Sequence, residues 1–386
     1  MNNFVVSKIA EDIPEAASLK FSMMAVRLRQ RGRDIIILST GDVFFDLPLF
    51  SFNALPYKLG YHYSDPRGLQ ELREHVSRYY QKEYGVASNP EREVLVSAGS
   101  KVLIYLGLAS VLNAGDEVIL FEPAWASYSE QVKIAHGVPV LLPYYEDVSN
   151  IKNYLTKKTR AIIINNPHNP SGKVYSHQEL KMLFDVATSN NLYIISDEAY
   201  SDFTLRKSFI SVGAFDKEKE RVVIVNSLSK NLGISGWRIG YAITNERILG
   251  LMFNLNQHLI SCPATILEYY VVKHFDELVA ITRPQIAALL VVRKETENFM
   301  KEVGLDCLPG SGTFYFFVSI AGSGLRSEEF VLRLLEEYGV ATVPGVGYGK
   351  SCDQFIRVSI GTEPADRIKK GLLAVRELIS KTKTAA

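Results

Sequence analysis

The residue types best suited to chemistry concentrate around Lys230, in Asn226-Ser227-Leu228-Ser229-Lys230-Asn231-Leu232-Gly233, with Gly236-Trp237-Arg238-Ile239-Gly240 close behind. The apolar run Val222 to Val225 precedes them and reads as a strand, so the amine stands at a strand end. An amine there, with the Ser227 and Ser229 hydroxyls beside it and a guanidinium eight residues on, can hold a phosphate-bearing aldehyde covalently. Arg238 would clamp the anion through charge-assisted hydrogen bonds. Lysines among Ser and Gly are also ordinary surface-turn residues, so the reading needs partners from elsewhere in the chain.

Those partners must come from elements that end in the same place. Val94-Leu95-Val96, Val118 to Phe121, Ala161 to Ile164, Leu192 to Ile195 and Val222 to Val225 read as buried strands, separated by helical patterns. Such alternation predicts an α/β layer with a largely parallel sheet. Ligands of open α/β sheets lie beyond the carboxyl ends of the strands, so the residues following these runs are expected to converge. After the first run, Ser97-Ala98-Gly99-Ser100 is small enough to bring backbone amides at a helix start against an anion, although an ordinary cap has the same look. After the second comes Trp125, an aromatic face for a planar ring or else a packed core residue. The third leads to Asn165-Asn166-Pro167-His168-Asn169-Pro170-Ser171-Gly172, where the Asn169 amide can meet a phenolate oxygen, as can Tyr200 three residues beyond Asp197. The fourth gives Ser196-Asp197-Glu198-Ala199-Tyr200, with Asp197 suited to a protonated ring nitrogen or to a solvated cap. Each feature has a plain structural alternative, but the ordered set describes a site for pyridoxal 5'-phosphate (PLP). His168 reads as a turn residue, and no metal is invoked.

The chain, 386 residues with 47% hydrophobic and 22% charged, is long enough for a large domain and a smaller partner. A formal net charge of +1 with no basic stripe argues against nucleic acid. Cys262, Cys307 and Cys352 show neither a disulfide framework nor metal spacing, and the N-terminus lacks a leader-like apolar core, which leads us to expect a cytoplasmic protein with no membrane span. Leu69, Leu72, Val76 and Tyr80 mark a helix over Leu69 to Glu83. Phe330, Leu334 and Tyr338 mark a second, and Ile368 to Ile379 a third that starts near Pro364. Gly339 to Pro344 and Gln354 to Ile360 read as strands of the smaller α+β domain. Expected boundaries are 1–44 for an N-terminal segment of the small domain, 45–285 for the large domain and 286–386 for the rest of the small one. Gly345-Val346-Gly347-Tyr348-Gly349 lacks the full dinucleotide pattern and its acidic partner, so no Rossmann site is expected.

Asn169-Pro170-Ser171-Gly172, Ser196-Asp197-Glu198-Ala199-Tyr200 and Ser227-Leu228-Ser229-Lys230 through Trp237-Arg238-Ile239-Gly240 closely resemble the class I/II aminotransferases of PLP fold type I, over about residues 30 to 380. The resemblance implies that Lys230 is the Schiff-base lysine, Asp197 the ring-nitrogen partner, and Asn169 and Tyr200 the phenolate partners. It makes Trp125 the stacked ring, with Ala98, Gly99, Ser100, Ser227, Ser229 and Arg238 around the phosphate. It further implies that Arg357 grips the substrate α-carboxylate, that Gly41 meets that carboxylate, and that Tyr63 reaches the cofactor phosphate of a second subunit in a homodimer. The chain departs from the family where Val43-Phe44-Phe45-Asp46 replaces a common Pro-Asp pair, and the stretch from Asp46 to Tyr63 is shorter than usual.

The implied reaction passes an amino group between an L-amino acid and a 2-oxo acid, with the freed Lys230 amine moving the α-proton. A carboxylate clamped in the ring plane favours proton loss over decarboxylation. Lys101 and the Trp125-Ala126-Ser127-Tyr128 run resemble the bacterial aspartate aminotransferase branch, in which that lysine meets a side-chain carboxylate. Phe44, Phe45, Phe50, Phe314, Tyr315 and Phe316 could instead line an aromatic or aliphatic pocket. Glutamate and 2-oxoglutarate are the expected couple. The alternatives are a β-eliminating carbon-sulfur lyase of the same fold, or a regulator that keeps PLP without turnover.

Overall fold

The computed structural model describes residues 6–48, 50–205 and 208–383. After the short helices α1 (Lys8–Asp12) and α2 (Ala17–Gln30), the chain makes β1 (Ile36–Ile37), α3 (Tyr57–Gly60) and α4 (Gln70–Tyr84). It then alternates through β2 (Val94–Ser97), α5 (Ser100–Val111), β3 (Glu117–Phe121), α6 (Ser127–Ile134), β4 (Val138–Leu142) and β5 (Thr159–Asn165). Next come α7 (His177–Ser189), β6 (Tyr193–Asp197), β7 (Val222–Ser227), α8 (Leu228–Asn231), β8 (Gly240–Ile243) and α9 (Glu246–Leu259).

Seven of these strands form one sheet in the order β2-β8-β7-β6-β5-β3-β4. All five expected runs are in it. Two members carry no strong strand signal in the sequence: β4, an edge strand containing Pro139, and β8, four residues long and starting at a glycine. Only β8 runs against its neighbours, lying antiparallel to both β2 and β7.

Helices cover both faces, which is why the strands are apolar throughout instead of alternating with polar residues. Ile162, Ile164, Ile194, Val222 and Ile224 pack to one side with residues of α4 and α7. Ala161, Ile163, Ile195, Val223 and Val225 pack to the other with α5, α6 and α9. Each large side chain buried this way contributes roughly 1.5–3 kcal/mol, enough to hold the strand ends in register. Helix α7 begins with a capping box in which Ser176 and Glu179 satisfy each other's backbone amides.

A long helix, α10 (Thr265–Glu302), leads to β9 (Tyr315–Ser319), α11 (Ser327–Tyr338), β10 (Val340–Ala341), β11 (Val343–Pro344), β12 (Phe355–Ser359) and α12 (Ala365–Lys383). Strands β11, β12 and β9 form an antiparallel sheet, while β10 pairs in parallel with β1. The N-terminal segment is thus stitched to the C-terminal one, and Arg367 adds an ion pair with Asp34 at 2.7 Å. No described helix is long and apolar enough to cross a membrane, no described cluster has the makings of a metal site, and all three cysteines are free.

Candidate active site

Pairing of β2, β8 and β7 sets Ser97, Gly240 and Ser227 side by side. Gly99, with φ +90° and ψ 165°, sits just before α5, in a backbone region essentially confined to glycine. A Cβ on Gly99 would lie 2.5 Å from Arg238 Nη2, and one on Gly240 would lie 2.5 Å from the Ser100 amide nitrogen. Arg238 itself has φ +55° and donates to the Ser235 carbonyl at 2.8 Å. The guanidinium, the start of α5 and the buried Ser227 therefore come together as a cradle of donors, and Ser229, also buried, follows two residues on in α8.

Lys230 lies in α8, directly after β7. Its Nζ donates to the Gly41 carbonyl at 2.5 Å and stands 3.6 Å from Asp42 Oδ1. Asp42 also accepts from Ser235 Oγ at 2.6 Å. Burial pushes the Lys230 amine below the ordinary lysine range, Asp42 works against that, and Arg357 and Arg238 add to it. A Cβ on Gly41 would lie 3.7 Å from each Arg357 Nη and 3.2 Å from Tyr315 Oη. One glycine thus separates an amine from a guanidinium.

Arg357, in β12, is buried. Its Nη2 donates to the Ser39 carbonyl at 2.6 Å, its Nη1 to Asn169 Oδ1 at 3.4 Å, and the Tyr315 ring lies 4.6 Å from its Cζ. Asn169 is anchored by its amide, which donates to Asn165 Oδ1 at 2.7 Å, while Asn165 Nδ2 donates to the Asp197 carbonyl. Tyr200 shares a 3.0 Å hydrogen bond with Tyr315. Burial holds its hydroxyl well above the usual tyrosine range.

Asp197 closes β6. Its Oδ2 accepts from Tyr128 Oη at 2.5 Å, and its Oδ1 from the Ala199 amide at 3.1 Å. Burial raises its pKa against these two bonds, so a cationic partner would stabilise the carboxylate there. The Trp125 ring meets Tyr128 edge-on at 5.2 Å, and Lys101 Nζ sits 5.0 Å over the Trp125 ring. Burial and then Arg238 push the Lys101 amine below its ordinary range. A cavity of about 780 Å³ includes Ala98, Lys101, Arg238 and Tyr348 in its wall. His168 is buried against Ser171 and pushed down to about 3 by burial and Lys173, so it stays neutral.

Tyr63 is 87% exposed, set apart from this cluster within its own chain. Of the aromatic residues considered as one pocket, Phe45, Phe314, Tyr315 and Phe316 pack in one core cluster, whereas Phe44 is 74% exposed and Phe50 stacks on His274 at 4.1 Å. No sequence pattern assigns a role to Tyr128, Asp42 or Glu198. Each sits within or beside a recognisable motif, but their contacts cross between elements and leave no local pattern. Glu198 accepts from Ser196, Ser211, Tyr80 and the Val212 amide.

The residues fit PLP: a donor cradle for a phosphate, a buried carboxylate short of a cation, and a partly buried amine with Arg238 and Arg357 as neighbours. Residues 35–370 match the family described as Aminotransferase class I and II, whose members use PLP. The chain is 33% identical over 364 residues to an aspartate aminotransferase of Pyrococcus abyssi, covering 88% of this chain and 92% of that one. It is 32% identical over 370 residues to aromatic-amino-acid aminotransferase 2 of Thermococcus litoralis, covering 89% and 93%. The aspartate aminotransferase of Thermus thermophilus solved with maleate superposes with a TM-score of 0.89 at 27% identity, covering 97% of this chain and all of that one. A site assembled at the carboxyl ends of five strands and a family match spanning most of the sequence lead to one conclusion: the chain belongs to the class I and II aminotransferases.

Proposed function

We propose that this aminotransferase binds pyridoxal 5'-phosphate at Lys230 and moves an amino group between an L-amino acid and a 2-oxo acid. The observation that carries the reading is the meeting of Lys230 and Arg357 at Gly41. An amine that can shuttle a proton and a guanidinium that can grip a carboxylate are thereby held one residue's width apart. When bound, the cofactor supplies an aldehyde for an amine and a ring that draws off the electrons of a carbanion.

Ala98, Gly99, Ser100, Ser227, Ser229 and Arg238 would hold its phosphate, Asp197 its ring nitrogen, Asn169 and Tyr200 its phenolate oxygen, and Trp125 its face. Arg357, fixed by Ser39 and Asn169, orients the α-carboxylate. Lys230 Nζ would take the α-proton and then serve as the acid that gives it back. Burial favours its neutral form, so the amine is available as a base below the ordinary lysine pKa. The Tyr200 hydroxyl stays protonated and remains a donor.

Lys101 supports acidic donors. Its charge is opposed by burial and by Arg238, and a side-chain carboxylate entering the cavity would relieve both. None of the relatives named above is a lyase, and transamination is the reading retained. Residues 45–285 form the large domain in this proposal, with 1–44 and 286–386 composing the small one, supported by the β1–β10 pairing. Exposed Tyr61 and Tyr63, 77% and 87%, support a homodimer in which Tyr63 completes the partner's site. Three free thiols suit a reducing cytoplasm.

The test is borohydride trapping of added PLP followed by peptide mass mapping. The label is expected on the peptide carrying Lys230, with no label and no transamination in Lys230→Ala. Attachment at a different lysine, or an active Lys230→Ala enzyme, would reject the assignment. A panel of amino donors with 2-oxoglutarate then ranks acidic against aromatic and aliphatic side chains.

A further inference from the structure

The segment Gly345–Tyr348, the first of two 3-10 turns between β11 and β12, brings a third phenol near Arg357. It is fixed on both sides. The Tyr348 carbonyl accepts from the Ala124 amide at 2.7 Å, and the Glu122 carboxylate accepts from the Lys350 and Ser351 amides at 3.0 and 3.1 Å. The Tyr348 ring packs edge-on against Phe317 at 5.6 Å and lies 5.7 Å from Arg357 Cζ.

Tyr200 and Tyr315 share one hydrogen bond between their hydroxyls. The Tyr348 hydroxyl is buried and has no hydrogen-bond partner, and the same is true of Arg357 Nε. Burial works against the Arg357 charge. Two orphaned groups thus share one neighbourhood. Arg357 Nε–H can only donate. Burial holds the phenol above the ordinary tyrosine range, so its O–H is likewise available as a donor. Buried donors left unpaired are costly, and two of them together call for an acceptor with more than one lone pair.

We propose that Tyr348 is a substrate-binding residue whose Oη–H donates to the same α-carboxylate that Arg357 grips, so that amino and oxo acid are held from two sides. The inference rests on the reading of Arg357 as the carboxylate site. Because every substrate carries that carboxylate, the contribution of Tyr348 is independent of the side chain, in contrast to that of Lys101.

The test is Tyr348→Phe in the cofactor-loaded enzyme. Calorimetry gives the Kd of two unreactive carboxylates, maleate and 4-methylpentanoate, and steady-state kinetics give KM and kcat for acidic, aromatic and aliphatic donors. Loss of one hydrogen bond to a charged group weakens binding about tenfold. Both Kd values and every KM are expected to rise by about that factor, with kcat nearly unchanged, as for an interaction made equally before and in the transition state. Phenylalanine keeps the ring contacts, so the Tm should not fall, and a loss of Tm with unchanged Kd would mark a purely structural hydroxyl and overturn the proposal. Unchanged Kd for both probes, as expected if only a water meets the phenol, would overturn it too, as would a loss confined to maleate. Arg357→Leu separates the two levels: if it abolishes binding of both probes while Tyr348→Phe does not weaken it, only the role of Tyr348 is refuted. If neither variant weakens either probe, the carboxylate reading of Arg357 falls as well.

Discussion

Gly99→Ala probes the cradle at its narrowest point. At φ +90° and ψ 165° an alanine is strained by about 1–3 kcal/mol. Its Cβ would also lie 2.5 Å from Arg238 Nη2 and 3.1 Å from Cζ, so the guanidinium must swing aside. Taking one charge-assisted hydrogen bond from a bound phosphate costs about 2 kcal/mol, or roughly 30-fold in affinity. The assay is a titration of the variant with PLP and, separately, with inorganic phosphate, alongside thermal unfolding without ligand. Gly85→Ala is the control: its φ is +70°, and no atom lies within 4 Å of an added Cβ, so it carries strain without a clash. Gly85→Ala should lose stability and bind both ligands normally, whereas Gly99→Ala should lose stability and bind both weakly. Wild-type affinity in Gly99→Ala would refute the idea that Arg238 and the start of α5 share one anion.

The buried Glu198 is raised to about 7 from 4.5, first by desolvation. Between those values the folded chain holds a proton that the unfolded chain has released, so this group's stabilisation is complete below pH 4.5 and fades as pH rises through 7, by about 3 kcal/mol. Glu198→Gln should remove that decline from a denaturant series run from pH 4.5 to 8, and a slope identical to wild type would contradict the assignment. If Tyr63 completes the neighbouring subunit's site, mixing inactive Lys230→Ala with inactive Tyr63→Ala protein should regain activity after subunit exchange, because one hybrid site then has both residues. Continued inactivity in demonstrated heterodimers would place Tyr63 outside the site.

The parts of the fold that were legible in the sequence are those set by burial. Five strands covered on both faces read as continuous apolar runs, and the amphipathic helices read from their spacing. Strand β4 escaped because an edge position tolerates Pro139 and leaves the strand half-buried. Strand β8 escaped because it starts at Gly240, whose lack of a side chain answers to the backbone at Gly99 and Ser100, some 140 positions away. The candidate site divides in the same way. Lys230, Asp197 and Asn169 announce themselves because each follows a strand and stands in a distinctive local run. Tyr128 donating to Asp197, Asp42 beside Lys230 and the unpaired hydroxyl of Tyr348 depend on which elements become neighbours. No spacing within a single segment encodes that.

The antiparallel insertion of β8 has a consequence for how the molecule assembles. Strands β5, β6 and β7 follow one another along the chain and can zip together as they emerge, but β2, at the sheet's edge, pairs with β8, which is made much later. Non-local pairings of this kind are slow, since a long loop must close before any contact rewards it. The two lips of the anion cradle lie on opposite sides of that seam. A folding chain therefore has no place for a phosphate until the most distant strand pair of its seven-stranded sheet has formed, and capture of the ligand reports the closing of that sheet.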